Sequence, residues 1–313
     1  MIFLTSLENI LPIILIIALG YFLQVRGWFS DQFSGNISKL IMNVGLPASI
    51  FVSVLKYLNR SMLAGLSSGL LYVFGAFVIS YVFAFIMIAI LRVPAGRRGV
   101  FVNMVVNANT IFIGLPLNIA LFGNEALPYF LIYYIANTVS TWTVGVYLIT
   151  ADSKEGKKAG AKFDWKKLLP PPLVGFLIAL MFLFLDIPVP TFAINTLTYI
   201  GNIVTPMSLL YIGIVLARAG FKSIRVDKDT IGALAGRYIV APLVMLAILS
   251  IAGGNLPANE FKTFIVQSAA PALAVLPILA DQGDGDREYA TNLVTISTVL
   301  FVVVIPVVLT LLG

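Results

Sequence analysis

NVGLPASIF, residues Asn43 to Phe51, returns later in the chain as NIVTPMSLL, residues Asn202 to Leu210. Asn43 and Asn202, Pro47 and Pro206, and Ser49 and Ser208 are each 159 positions apart. The same offset joins Pro12 to Pro171, Phe33 to Phe192 and Asn36 to Asn195, and it is close to half of the 313 residues. One unit therefore occurs twice.

Around these pairs the chain is too apolar for water: 59% of residues are hydrophobic and 11% charged. Ten apolar runs are long enough to cross a bilayer, at about 6–25, 33–55, 63–91, 98–122, 126–151, 168–186, 191–217, 229–252, 261–280 and 289–312. Each copy supplies five, and an odd number of crossings makes the second copy enter from the opposite side. The sequence thus predicts an all-α integral membrane protein of ten transmembrane helices, built as two inverted five-helix repeats over 1–151 and 168–313 with a cytoplasmic linker at 152–167. The first run has no basic segment before it and begins near Glu8, so it reads as a mature helix rather than a signal peptide.

Charge supports this threading. With both termini outside, Arg26, Arg92, Arg97, Arg98, lysines 154, 157, 158, 162, 166 and 167, Arg218, Lys222, Arg225, Lys228 and Arg287 share one side, while Lys56, Arg60 and Lys262 take the other. That is the positive-inside pattern of a multi-pass protein of the cytoplasmic (inner) membrane, and it accounts for the net charge of +6 without nucleic acid. The linker lysines read as topology and attraction to anionic membrane lipids. Cysteine and histidine are absent, which removes thiol chemistry and the common zinc and haem ligand sets, so neither a metal nor a cofactor is expected.

The helix breakers mark the site. Pro47 and Pro206 interrupt the second and seventh runs at matching positions, and a proline inside a helix frees a carbonyl that lipid cannot satisfy. The fourth run, NMVVNANTIFIGLPL, packs Asn103, Asn107, Asn109 and Thr110 ahead of Gly114 and Pro116. The ninth, QSAAPALAVLP, brings Gln267, Ser268, Pro271 and Pro277. Two interrupted helices in corresponding places are expected to cross at their broken points, with half-helix N-termini at the membrane midplane. Asp and Glu fall only at run boundaries, so the cavity should prefer a carboxylate solute to a cation. The candidate substrate-binding residues are Asn43, Asn107, Asn109, Thr110, Asn137, Ser268, Pro271 and Asn292. Lys39 and Arg237, the two basic residues inside runs, either reach the interface or attract the anion. Thr138, Ser140, Thr141, Thr291, Thr295, Ser297 and Thr298 add a polar lining that interhelical bonding also explains.

At these residues the chain resembles the auxin efflux carrier family, in particular its bacterial members. RRGVFVNMVVNANTIFIGLPLNIALFGNEAL, Arg97 to Leu127, is similar to that family's fourth-helix signature, and QSAAPALAVLPILADQGD, Gln267 to Asp284, to its ninth-helix segment. The resemblance implies the fold shared with bile acid sodium symporters: a scaffold of helices 1, 2, 6 and 7, a moving domain of helices 3–5 and 8–10, elevator-type exchange of access, and a homodimer. Asn107, Asn109 and the Pro271 segment would line the crossover, with Asn43 on the scaffold side. Plant members carry proline between the two crossover asparagines, where this chain has Ala108. Small dicarboxylates such as malate or malonate are the solutes it implies.

The function expected is transport of small organic anions, secondary active or driven by the membrane potential. A sodium-coupled symporter of the same fold and a non-transporting membrane sensor are the alternatives. An intramembrane enzyme lacks a nucleophile or metal set, so none is expected.

Overall fold

The computed structural model describes residues 2–30, 32–152, 171–219, 224–251 and 256–312. The linker expected at 152–167 therefore lies, apart from Asp152, outside the described residues. The elements are all helices: α1 (Ile2–Val25), α2 (Phe33–Tyr57), α3 (Arg60–Leu91), α4 (Arg98–Val106), α5 (Thr110–Phe122), α6 (127–151), α7 (Pro171–Phe184), α8 (Thr191–Gly201), α9 (Val204–Ala219), α10 (Lys228–Ile251), α11 (Ala258–Ser268), α12 (Leu276–Gln282) and α13 (Arg287–Leu311). The sole extended pairing among the described residues is one antiparallel bridge, Ala108 to Ala272.

Five described stretches are long and apolar enough to cross a membrane unaided: Phe33–Tyr57, Ser68–Leu91, Thr191–Arg218, Lys228–Ile251 and Arg287–Leu311. Thr191–Arg218 counts across a two-residue turn at 202–203, whereas the fourth and ninth apolar runs are parted by non-helical segments, into α4 with α5 and α11 with α12, and no half has the length of a span. The unbroken α3 carries large apolar side chains on its outer face, such as Leu71 and Ile90, each 73% exposed, which suits contact with lipid.

Proline decides where the helices loosen. Pro47, Pro116 and Pro242 each follow a five-residue stretch of wider π-helical turn, Ile41–Gly45, Thr110–Gly114 and Gly236–Val240. The carbonyl that each proline cannot serve, four residues back at Asn43, Phe112 and Tyr238, lies inside that stretch. Widening the turn passes the bond to the next donor, so α2 runs through Pro47 where an interruption was expected. At Pro206 the carbonyl four back is that of Asn202, and there the helix does stop, between α8 and α9. At Pro277 it is that of Leu273, within the non-helical segment 269–275.

Close packing follows small residues. Gly213 lets α9 lie against α1, since a Cβ there would overlap the Ile17 carbonyl. Gly175 of α7 sits where a Cβ would be 2.8 Å from Pro47 Cα, bringing α7 onto α2. α2 also packs on α8, whereas α3 packs on α4, α6 and α10, and α11 on α6. Asp229 and Glu260, placed by sequence at run boundaries, occupy the first turns of α10 and α11, and both are buried.

Candidate functional site

The two split helices meet at their gaps. α4 ends at Val106, Asn107 turns extended, and α5 restarts at Thr110; α11 ends at Ser268 and α12 restarts at Leu276. The Asn109 N–H donates to the Pro271 carbonyl at 2.8 Å, the hydrogen bond that joins the gaps. Each exposed peptide group then finds a side chain. The Ala108 N–H donates to Asn137 Oδ1 at 2.8 Å, and Asn137 Nδ2 returns a bond to the Ala108 carbonyl at 3.1 Å. The Ala272 N–H donates to Ser297 Oγ at 3.2 Å. Backbone that would be intolerable in lipid is thus satisfied inside protein.

Asn107 is part of the support beneath the gap. Its Nδ2 donates to Asn103 Oδ1 at 2.9 Å and its Oδ1 accepts from Ser140 Oγ at 2.6 Å, with the Tyr81 hydroxyl 2.7 Å from that Oγ. Gln267 spans the two helices through Nε2, which donates to the Gly114 carbonyl at 2.8 Å.

Beside the crossing is a cavity of about 380 Å³, in the range of roughly 300–1,000 Å³ typical of small-molecule sites. The crossing segments 108–112 and 273–275 form one wall, Ser38 and Met42 of α2 a second, and Tyr134, Asn137, Thr138, Thr141 and Trp142 of α6 the third. The lining holds no charged side chain. Asn109 caps α5 through Oδ1, which accepts from the Phe112 N–H at 3.2 Å, and its Nδ2 has no protein partner among the described residues. The N-terminus of α5 therefore faces the cavity with about half a positive charge and a spare amide donor. On the far side Phe112 stacks on Tyr211 of α9, ring centroids 4.6 Å apart.

Of the residues expected to bind solute, Asn109, Thr110 and Asn137 line this cavity. Asn107 lies behind it, and Pro271 contributes its carbonyl to the crossing. Ser268 turns its hydroxyl to the Ile265 carbonyl at 2.7 Å, inside its own helix. Asn292 sits apart, holding the Arg225 N–H and carbonyl ahead of α10. Asn43 is exposed, with Nδ2 on the Lys39 carbonyl at 2.9 Å, and Lys39 is exposed beside it. The cavity face of α2 is instead the stripe Ser38 and Met42, one position round the helix. Arg237 is fully buried with its guanidinium on backbone carbonyls, and it does not line the cavity. Ser38, Tyr134 and Trp142 had no sequence signal beyond their place in apolar runs.

Charged residues gather at the ends of α4, α10 and α13. Arg97 bonds Asp227 and Asp286, each at 2.7 Å, lies 3.5 Å from Asp229, and covers the Tyr289 ring at 4.6 Å. Burial works to raise the Asp227 carboxyl, but the Thr230 N–H and the Arg97 guanidinium outweigh it and hold the group below its ordinary value.

Two split helices that cross at their gaps, with an uncharged and largely apolar cavity against the crossing, suit passage of a solute. The family model for membrane transport proteins matches residues 5–309. This chain belongs to that family. It is the auxin efflux carrier-like group that the fourth- and ninth-run motifs resemble. The transporter is 24% identical to an uncharacterized transporter of Methanothermobacter thermautotrophicus over 98% of each chain. It is 20% identical to one of Methanocaldococcus jannaschii over 96% of each, and 23% identical to the uncharacterized transporter YfdV of Escherichia coli over 95% of each. It is a multi-pass membrane transporter and not an enzyme.

Proposed function

We propose that this transporter carries small organic anions, carboxylates or dicarboxylates, across the cytoplasmic membrane. The observation that carries the reading is the cavity itself: α5 presents its N-terminus there, Asn109 offers an uncommitted amide, and the walls hold no carboxylate. An anion gains from that field, whereas a cation meets it unfavourably. Charge on the solute then couples its movement to the membrane potential.

The proposal extends to mechanism. Ten spans in two inverted repeats, with both termini outside, put the Ser38 end of α2 and the Thr141 region of α6 on the basic-loop side, so this state opens to the cytoplasm. The packing of α1 on α9 and of α2 on α7 and α8 supports a scaffold distinct from a body of α3–α6 and α10–α13. Movement of that body would carry the crossing, and the solute with it, in the manner of an elevator, within a homodimer.

Sodium-coupled symport is the second reading, favoured by Thr263 Oγ1 and Gln267 Oε1, buried acceptors without a hydrogen-bond partner along α11. Reconstituted uptake of mono- and dicarboxylates, with and without sodium and pH gradients, tests both. Uptake of a carboxylate that follows membrane potential in sodium-free buffer supports the first; strict sodium dependence supports the second, and no flux of any carboxylate removes both.

A further inference from the structure

Arg237 has no exposed surface; backbone carbonyls of the crossing hold its guanidinium, with the Tyr133 hydroxyl of α6 beside it. It donates to Val105 and Val106 at 3.0 and 3.1 Å, the last carbonyls of α4, and to Ala270 and Gln267 at 2.6 and 3.4 Å, at the end of α11. No Asp or Glu pairs with it among the described residues. A lone buried guanidinium without compensating oxygens is strongly disfavoured. Here the C-terminal ends of two half-helices converge on it, each carrying about half a negative charge, so together they balance one guanidinium. The site is arranged for a single positive charge held by carbonyl oxygens, the same coordination a monovalent cation uses. The wide turn Gly236–Val240, one turn ahead of Pro242, sets Arg237 at this point on α10.

We propose that Arg237 is a built-in counter-ion that takes the place of a coupling cation at the crossing, so that the carrier binds and moves its anion without sodium or potassium. The negative helix ends are neutralised permanently by a covalently attached charge, and the positive end of α5 is left for the solute. The inference rests on the anion-carrier reading for its functional half. Its structural half, a site that needs one positive charge, stands on the bonds above. Arg237 acts as a positioning residue: it touches no solute and fixes α4, α10 and α11 relative to one another.

The test compares wild type, Arg237→Lys and Arg237→Ala, by thermal melting of solute-free protein in detergent and by malate and succinate flux in proteoliposomes. Each is measured in choline, sodium and millimolar guanidinium chloride. Wild type is expected to melt and transport alike in choline and sodium, and Arg237→Lys to keep part of the flux. Arg237→Ala is expected to lose flux about tenfold or more, equivalent to ~1.4 kcal/mol. It should regain flux and melting temperature on addition of guanidinium or sodium, which leave wild type unchanged. Wild-type flux that requires sodium, Arg237→Ala behaving as wild type, or a folded Arg237→Ala that no cation rescues would each overturn the proposal. If Arg237→Ala does not fold, the choline comparison and Arg237→Lys decide: sodium-independent flux with partial activity supports it, and sodium dependence or an inactive, folded Arg237→Lys overturns it. Melting is read without solute, so rescue in a protein that moves no carboxylate would fault the solute class and not the role of Arg237.

Discussion

Asn137 uses both ends of its side-chain amide on one residue, accepting from the Ala108 N–H at 2.8 Å and donating to the Ala108 carbonyl at 3.1 Å. It pairs with Ala108 as a neighbouring strand would, which lets a helix stop for three residues inside the membrane. Asn137→Ala strands two buried peptide groups at about 1–3 kcal/mol each. The expected result is a clear fall in melting temperature together with loss of flux. Ala108→Pro, which removes only the N–H, should cost about half as much.

Asn109 has two separable roles, cap and cavity donor. Asn109→Asp keeps an oxygen for the Phe112 N–H, so melting should stay near wild type. It also places a negative charge in the cavity, and carboxylate flux should fall by about tenfold or more, as ~1.4 kcal/mol of repulsion gives. Asn109→Ala should lower both, stability by about 1 kcal/mol for the lost cap. A folded Asn109→Asp that transports normally would remove Asn109 from the site.

The seam between α1 and α9 depends on Gly213. Gly213→Ala would drive a methyl into the Ile17 carbonyl, which is backbone and cannot turn aside. Overpacking of this kind costs about 1–3 kcal/mol. Melting and yield in detergent should drop, whereas Gly27→Ala, at a glycine with no heavy atom near its missing Cβ, should show only the smaller strain of its positive φ of 76°.

The Arg97 cluster should be sensitive to acid. Asp227 has its carboxyl lowered in the fold, so its contribution is complete above the unfolded value of 3.8 and is lost as pH falls through the lower folded value. Arg97→Gln should therefore reduce stability near neutral pH, by about 1–3 kcal/mol. The gap between variant and wild type should shrink once the pH falls below about 4. Melting curves across pH measure this directly, and a gap that persists unchanged in acid would assign the loss to packing.

The asparagine run at 103–109 and the prolines behind it made the crossing legible, because three amides in seven apolar positions need partners and a gap supplies them. Asn109 and Thr110 stand in that run, and Asn137 stands in the polar lining of the fifth run; all three line the cavity. On α2, Lys39 and Asn43 stand out in the sequence as polar residues, whereas the side chains on the cavity are Ser38 and Met42, a turn of about 100° away. The bonds of Arg237 join residues 30 to 132 positions apart, and sequence spacing on α10 has no way to show which carbonyls arrive there. Proline positions foretold loosening, yet not its degree, since a single lost bond can be absorbed by a wide turn, as at Pro47, or can end the helix, as before Pro206.

The chain has no native cysteine, so a single Thr138→Cys variant reports on the cavity wall alone. The decisive measurement is its rate of modification by a membrane-impermeant thiol reagent, applied from each face, with and without malate, malonate or succinate. Modification from the cytoplasmic face that slows as one of these carboxylates is added, and stays unchanged with a cation of similar size, is the result expected. A rate indifferent to every carboxylate, or slowed by the cation instead, would contradict an anion site at the crossing.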